Sequence, residues 1–172
     1  MKKKYELLTS ETKNIHNKTL YRIRALVDIP KHAVKVGDLG GFLETENNLS
    51  HDGNCWVENN SCVFDNARIT DDACISGDAH VSGDARVSGN AHVYMSARVY
   101  ENAHVSGDAC ISGNSWVHGN ACIRDNAGVR ENAFVSGDTL VTDEAIISGE
   151  AWIRGNACIS GNSCLDGKTR IG

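Results

Sequence analysis

Four of the seven histidines and all seven cysteines are the side chains here with the widest chemical reach. His80, His92, His104 and His118 all lie in the C-terminal two thirds of the chain. A histidine works as a general base only within hydrogen-bond reach of an acceptor hydroxyl or amine. It holds zinc only where other ligands converge on the same point. The cysteine count is odd and no C-x-x-C occurs, which points to free thiols. No phosphate-binding G-x-x-x-x-G-K-[ST] and no G-x-S-x-G elbow is present.

What must position these residues is a six-residue repeat that runs without insertion or deletion from Cys55 to Gly172. It reads ACISGD, AHVSGD, ARVSGN and onward, with a small residue at position 1 and Val, Ile or Leu at position 3. A fixed short period of this kind signals a solenoid. Positions 1 and 3 lie on the same side of an extended segment, so Ala and Val/Ile face inward while positions 2 and 4 face outward. Positions 5 and 6, mostly Gly-Asp or Gly-Asn, turn the corner through left-handed backbone angles. Three corners close a triangle of 18 residues, giving about six and a half coils and a prism about 30 Å tall.

Position 2 then sorts into three outward columns. One carries Arg68, Arg86, His104, Cys122, Leu140 and Cys158; the next carries Trp56, Cys74, His92, Cys110, Gly128, Ile146 and Cys164. The third carries Cys62, His80, Arg98, Trp116, Phe134, Trp152 and Arg170, with Phe64, Tyr100, His118 and Arg154 among its position-4 residues. No two cysteines are 18 residues apart, so neither ladder disulfides nor a metal held by one column is expected. His80, His92 and His104 fall on three different faces and cannot meet within one chain. An outward ladder of aromatic residues flanked by Arg is the usual composition of a contact surface. Phe64, Tyr100, Trp116, His118, Phe134, Trp152 and Arg154 are therefore expected to form a binding and self-association face, in a dimer or trimer. The competing reading is stacking that only shields the sheet.

Residues 1–54 lie outside the regular repeat and are expected to form a small β cap. Tyr5–Leu8 and Thr19–Val27 read as strands, residues 9–18 as a polar turn, His32–Val36 as a further short strand and Gly37–Gly41 as a tight turn. The hexads LETENN and LSHDGN that follow are degenerate. Such a cap covers an edge and an apolar interior that would otherwise invite aggregation. Residues 1–24 carry a net charge of +5 and the remainder −10. Lys2, Lys3 and Lys4 could meet an anionic partner, but a lysine-rich terminus more often serves solubility. The open edge at TRIG is expected to pair with another copy or to be covered by a partner. Without a long apolar run or a signal-peptide core, a cytoplasmic setting with no membrane partner is expected.

The pattern A-x-[IV]-x-[GDE]-[DN] resembles the hexapeptide-repeat superfamily, which implies a left-handed parallel β-helix. The segments Thr19–Leu26, Gly37–Phe42, Asn48–Ser50 and Cys55–Val57 are similar to hexapeptide proteins of bacteria and phages or prophages that are labelled transferases on the strength of fold. Fold alone does not establish function. The resemblance implies two enzyme classes. Acyltransferases of the superfamily use a histidine base and acetyl-coenzyme A or an acyl carrier protein, and here His118 beside Trp116 and Tyr100 is the candidate catalytic residue. Zinc carbonic anhydrases share three histidines across an interface, and His80 with His118 would be the only pair on one face. The uninterrupted repeat lacks the projecting loop that walls off substrate. A non-catalytic, oligomeric binding or scaffold protein is the expected function, with itself, a host protein or a small molecule as partner, no resident cofactor or metal, and no nucleic acid. Acetyl-CoA-dependent acyl transfer is the alternative.

Overall fold

The computed structural model describes residues 3–172; Lys2 lies outside them. The chain forms a parallel β-solenoid in which twenty two-residue strands, β4 (Trp56–Val57) to β23 (Arg170–Ile171), recur every six residues. Each strand pairs in parallel with the strand 18 residues away, as Arg98 does with His80 and Trp116. The columns read from the sequence are the three faces, and about seven coils stack along them.

The cross-section follows from local chemistry. Position-1 Ala and position-3 Val or Ile are sealed inside almost every coil. Where Ser or Thr replaces Ala, its hydroxyl finds a main-chain carbonyl, as Thr139 does at Ser136 (2.7 Å). Position 5 alone carries the left-handed angle, from Asn59 to Gly167. Where it is acidic, the carboxylate accepts the N–H of the next coil's position 5: Asp65 from Gly83 (3.0 Å), Glu131 from Gly149 (2.8 Å). Position 6 forms side-chain ladders such as Asn102 to Asn120 to Asp138. The corners are thus hydrogen-bonded along the axis as the strands are.

The N-terminal region departs from expectation in three ways. Residues 9–18 are not a turn. β1 (Tyr5–Ile15) runs through most of them, with a bulge between Leu8 and Thr12, against β2 (Lys18–Ala25). The turn is only His16-Asn17, both at positive φ. Polar residues suit β1 because it is an edge strand, and cross-strand ion pairs Glu6–Arg24 and Glu11–Arg22 hold it.

Second, His32–Val36 is not a strand. Pro30–His32 forms a 3-10 turn, closed by an Ile29–Val34 bridge. Third, only Gly37 of the glycine run turns the chain. Gly40 and Gly41 lie in β3 (Leu39–Leu43), where a Cβ at Gly40 would come within 2.5 Å of the Ile23 side chain and of the Val57 carbonyl.

The described residues of this region run on into the prism. β1, β2 and β3 continue one prism face, β3 pairing in parallel with β5 (Cys62–Val63). Leu43 stacks on Val63 and Leu49 on Ile69, so the degenerate hexads are already solenoid. Lys4 is 4% exposed, and its ammonium donates to the carbonyls of Cys55 (2.9 Å) and Gly53 (3.3 Å), so it is a structural plug rather than a surface charge. Lys3 bonds Glu46. Among the described residues no helix is long and apolar enough to cross a membrane.

Candidate functional site

The face built on β1–β3 continues into a column of outward residues, and it holds the aromatic residues singled out in the sequence. Register places Arg98 beside Trp116, Trp116 beside Phe134, Phe134 beside Trp152 and Trp152 beside Arg170. A strand spacing near 4.8 Å suits ring-to-ring contact. Ring centroids are 6.3 Å apart for Trp116 and Phe134 and 5.0 Å for Phe134 and Trp152. Tyr100 and His118, two residues along at position 4, form a second stack at 4.7 Å and nearly parallel. Guanidinium groups close the stack at both ends: Arg98 lies 5.1 Å from the Trp116 ring, Arg170 5.0 Å and Arg154 5.7 Å from the Trp152 ring. Trp116 and Trp152 remain 38% exposed, and Phe134 between them is half-buried.

Phe64 is the exception among the expected face residues. It is 6% exposed, packed with Leu20 and Cys62 in a small second core beneath the hairpin. Trp56 likewise occupies an outward position yet is 1% exposed. The repeat gives each side chain its direction, but the hairpin and cap cover these two.

At the covered end the face opens into a groove of about 470 Å³ between the hairpin tip and the ladder. His16, Lys18, His80 and Arg98 supply its polar wall, Tyr100 and Trp116 its aromatic wall. His16 and Lys18 carried no sequence signal, because only the long hairpin brings them over the prism. Burial, and then the Arg98 charge, push the His80 imidazole below its ordinary pKa. A larger groove of about 630 Å³ lies round the corner, but its Lys18, Glu44 and Asp65 are already paired with one another.

His118 has the surroundings of an oriented imidazole. Its Nδ1 is 3.2 Å from a Glu101 carboxylate oxygen, which also accepts the Gly119 N–H at 2.8 Å. In the tautomer whose Nδ1–H donates to Glu101, Nε2 is left as the acceptor. That atom is buried and has no partner. Phe134 packs edge-on against the ring at 4.8 Å. The geometry fixes the ring but does not present its free nitrogen to solvent. His80 stands near Phe64 at the groove and is not joined to His118. The seven cysteines are all unpaired thiols.

A family model described as the YdcK beta solenoid repeat matches residues 79–95, about one coil that includes His80 and His92. No curated protein matches the chain. The matched repeat and the stacked strands agree on a β-helix repeat protein.

Proposed function

We propose that this chain is a non-catalytic binding solenoid that associates with a second copy of itself through the aromatic face. The observation that carries this reading is the continuous outward stack of Trp116, Phe134 and Trp152, with both indoles still 38% exposed. A flat face with a regular rung spacing is matched by the same face of another copy, with side chains interdigitating between sheets about 10 Å apart. Indole and guanidinium groups are the usual anchors of such contacts. The groove at the hairpin end would then lie at the rim of the assembly, where a small anionic or aromatic ligand, or a host protein, could enter.

Acyl transfer from acetyl-coenzyme A is the second reading. It rests on the His118–Glu101 pair, the arrangement of a base held by a carboxylate, together with the resemblance to the hexapeptide superfamily. The shielded Nε2 favours the binding reading.

Sedimentation velocity tests the proposal. The parent should sediment as an oligomer, and Trp152→Asp should fall to the monomer mass while keeping its circular dichroism. A variant that retains the parent's mass counts against the interface. Saturable acetyl-coenzyme A binding that is lost in His118→Ala would transfer the reading to acyl transfer.

A further inference from the structure

Outside the aromatic face, His32, Glu58 and Cys74 converge from three separate parts of the chain. One ligand atom from each lies within 4.8 Å of the other two. His32 comes from the 3-10 turn of the cap, Glu58 follows β4, and Cys74 opens β7 (Cys74–Ile75), the rung beyond Trp56. The turn is fixed in place by Lys31, whose ammonium bonds Asp72 (2.8 Å) and Asn90 (2.6 Å). The Nε2 of His32 is buried with no hydrogen-bond partner. Cys74 is 5% exposed, so its sulfur is held within the fold. A cleft of about 310 Å³, lined by His32, Glu58, Trp56 and Asp38, opens beside the cluster and gives a path from solvent.

The surroundings disfavour charge on every member. Burial, and then the Glu58 carboxylate, push the Cys74 thiol up to about 12. Burial raises Glu58, against the opposing pull of His92 and Cys74, and burial lowers His32, against the opposing hydrogen bond at Asp72 and with His92 and Lys31 acting alongside burial. A divalent cation would reverse this, since a thiolate and a carboxylate together neutralise it.

We propose that His32, Glu58 and Cys74 form a binding site for a zinc-type divalent cation, with the fourth position open to water through the cleft. Nitrogen, sulfur and carboxylate donors are the set that zinc accepts, and three protein ligands with an open position are a known zinc geometry. Bonds of about 2.0–2.3 Å to a tetrahedral ion bring donor atoms to roughly 3.3–3.8 Å apart. The three side chains, already within 4.8 Å of one another, therefore need to close by at most about 1.5 Å. The Cys74 proton passes to solvent as the sulfur binds. The site would tie the cap turn to two successive rungs of the prism. It is independent of the aromatic face and of the function assigned to that face.

Cobalt(II) titration of the chelator-treated full chain is the test. The expected result is one cobalt per chain, with a thiolate-to-cobalt charge-transfer band, visible bands of tetrahedral intensity, and displacement by Zn2+. Cys74→Ser should abolish the charge-transfer band. His32→Ala and Glu58→Gln should each weaken binding by at least ~10-fold. A Cys158→Ser/Cys164→Ser double variant, which removes the two exposed thiols, should keep the band. The absence of a 1:1 complex overturns the proposal. So does a band that survives Cys74→Ser or disappears in the double variant. Should Cys74→Ser fail to fold, His32→Ala decides, because it alters only a three-residue surface turn, and undiminished affinity there also overturns the site.

Discussion

The first coils and the last ones are built from the same hexad, yet they are different environments. Trp56 and Trp152 both occupy position 2, and one is 1% exposed while the other is 38% exposed. Cys62 and Cys74 are buried; Cys158 and Cys164, at the same position lower down, are exposed. The difference is the cover. Tyr5 packs on Trp56 with ring centroids 6.4 Å apart and donates its hydroxyl to the Leu49 carbonyl at 2.8 Å. Leu20 and Phe42 close over Phe64 and Cys62. The repeat thus decides which way a side chain points, and the non-repetitive N-terminus decides whether it meets water.

Truncating the two tryptophans is the strongest way to break this comparison. Trp56→Ala should lower the unfolding free energy by ~3–5 kcal/mol, the range for a large buried aromatic residue. Trp152→Ala should cost ~1 kcal/mol or less at a protein concentration where the chain is monomeric. Urea denaturation followed by circular dichroism measures both, and equal losses would mean that the cap does not set burial.

A smaller contrast lies in the corners. Gly113 and Gly167 both sit at positive φ, 73° and 61°. An alanine at either carries the left-handed penalty of ~1–2 kcal/mol. A Cβ at Gly113 would also come within 2.6 Å of the Glu131 main chain in the next coil, while at Gly167 nothing lies within 4 Å. Gly113→Ala should therefore exceed Gly167→Ala by ~1–3 kcal/mol. Matching melting temperatures for the two variants would show that the coils separate to accommodate the methyl group.

The smallest expected effect concerns how the cap is pinned. Hydrogen bonds from Lys31 and then Asn54 hold the Asp72 carboxyl down to about 2 from its ordinary 3.8. A depressed carboxyl contributes stability that is present above 3.8 and is lost as the pH falls toward about 2. The melting temperature of Asp72→Asn should therefore lie slightly below the parent's near neutrality. The gap should close through that acid window, and a gap independent of pH would remove the Lys31–Asp72 pair from the account.

The sequence by itself determined the period, the inward and outward columns, the absence of cysteine ladders and the location of the aromatic stack. These follow from interactions within a hexad or between neighbouring coils, which recur identically and so leave a periodic signal. Positions 5 and 6 were legible together as the corner for the same reason, but only the structure gives the left-handed angle to position 5 alone and makes position 6 a side-chain ladder.

Tertiary structure decided everything that depends on contacts without a period. The polar run at residues 9–18 became a strand because β2 offered it a partner and cross-strand charges. Gly40 and Gly41 are glycine because Ile23, Val57 and Ser61 approach their backbone closely, not because they turn. Trp56 and Phe64 lost their exposure to chain segments more than 20 residues away. The 18-residue register sets Glu58 and Cys74 on successive rungs of one face, but no spacing rule brings His32 of the cap turn to them. Long-range packing of a non-repeating segment is specified by the shape of the whole surface it lands on, and that shape exists only once the coils have stacked.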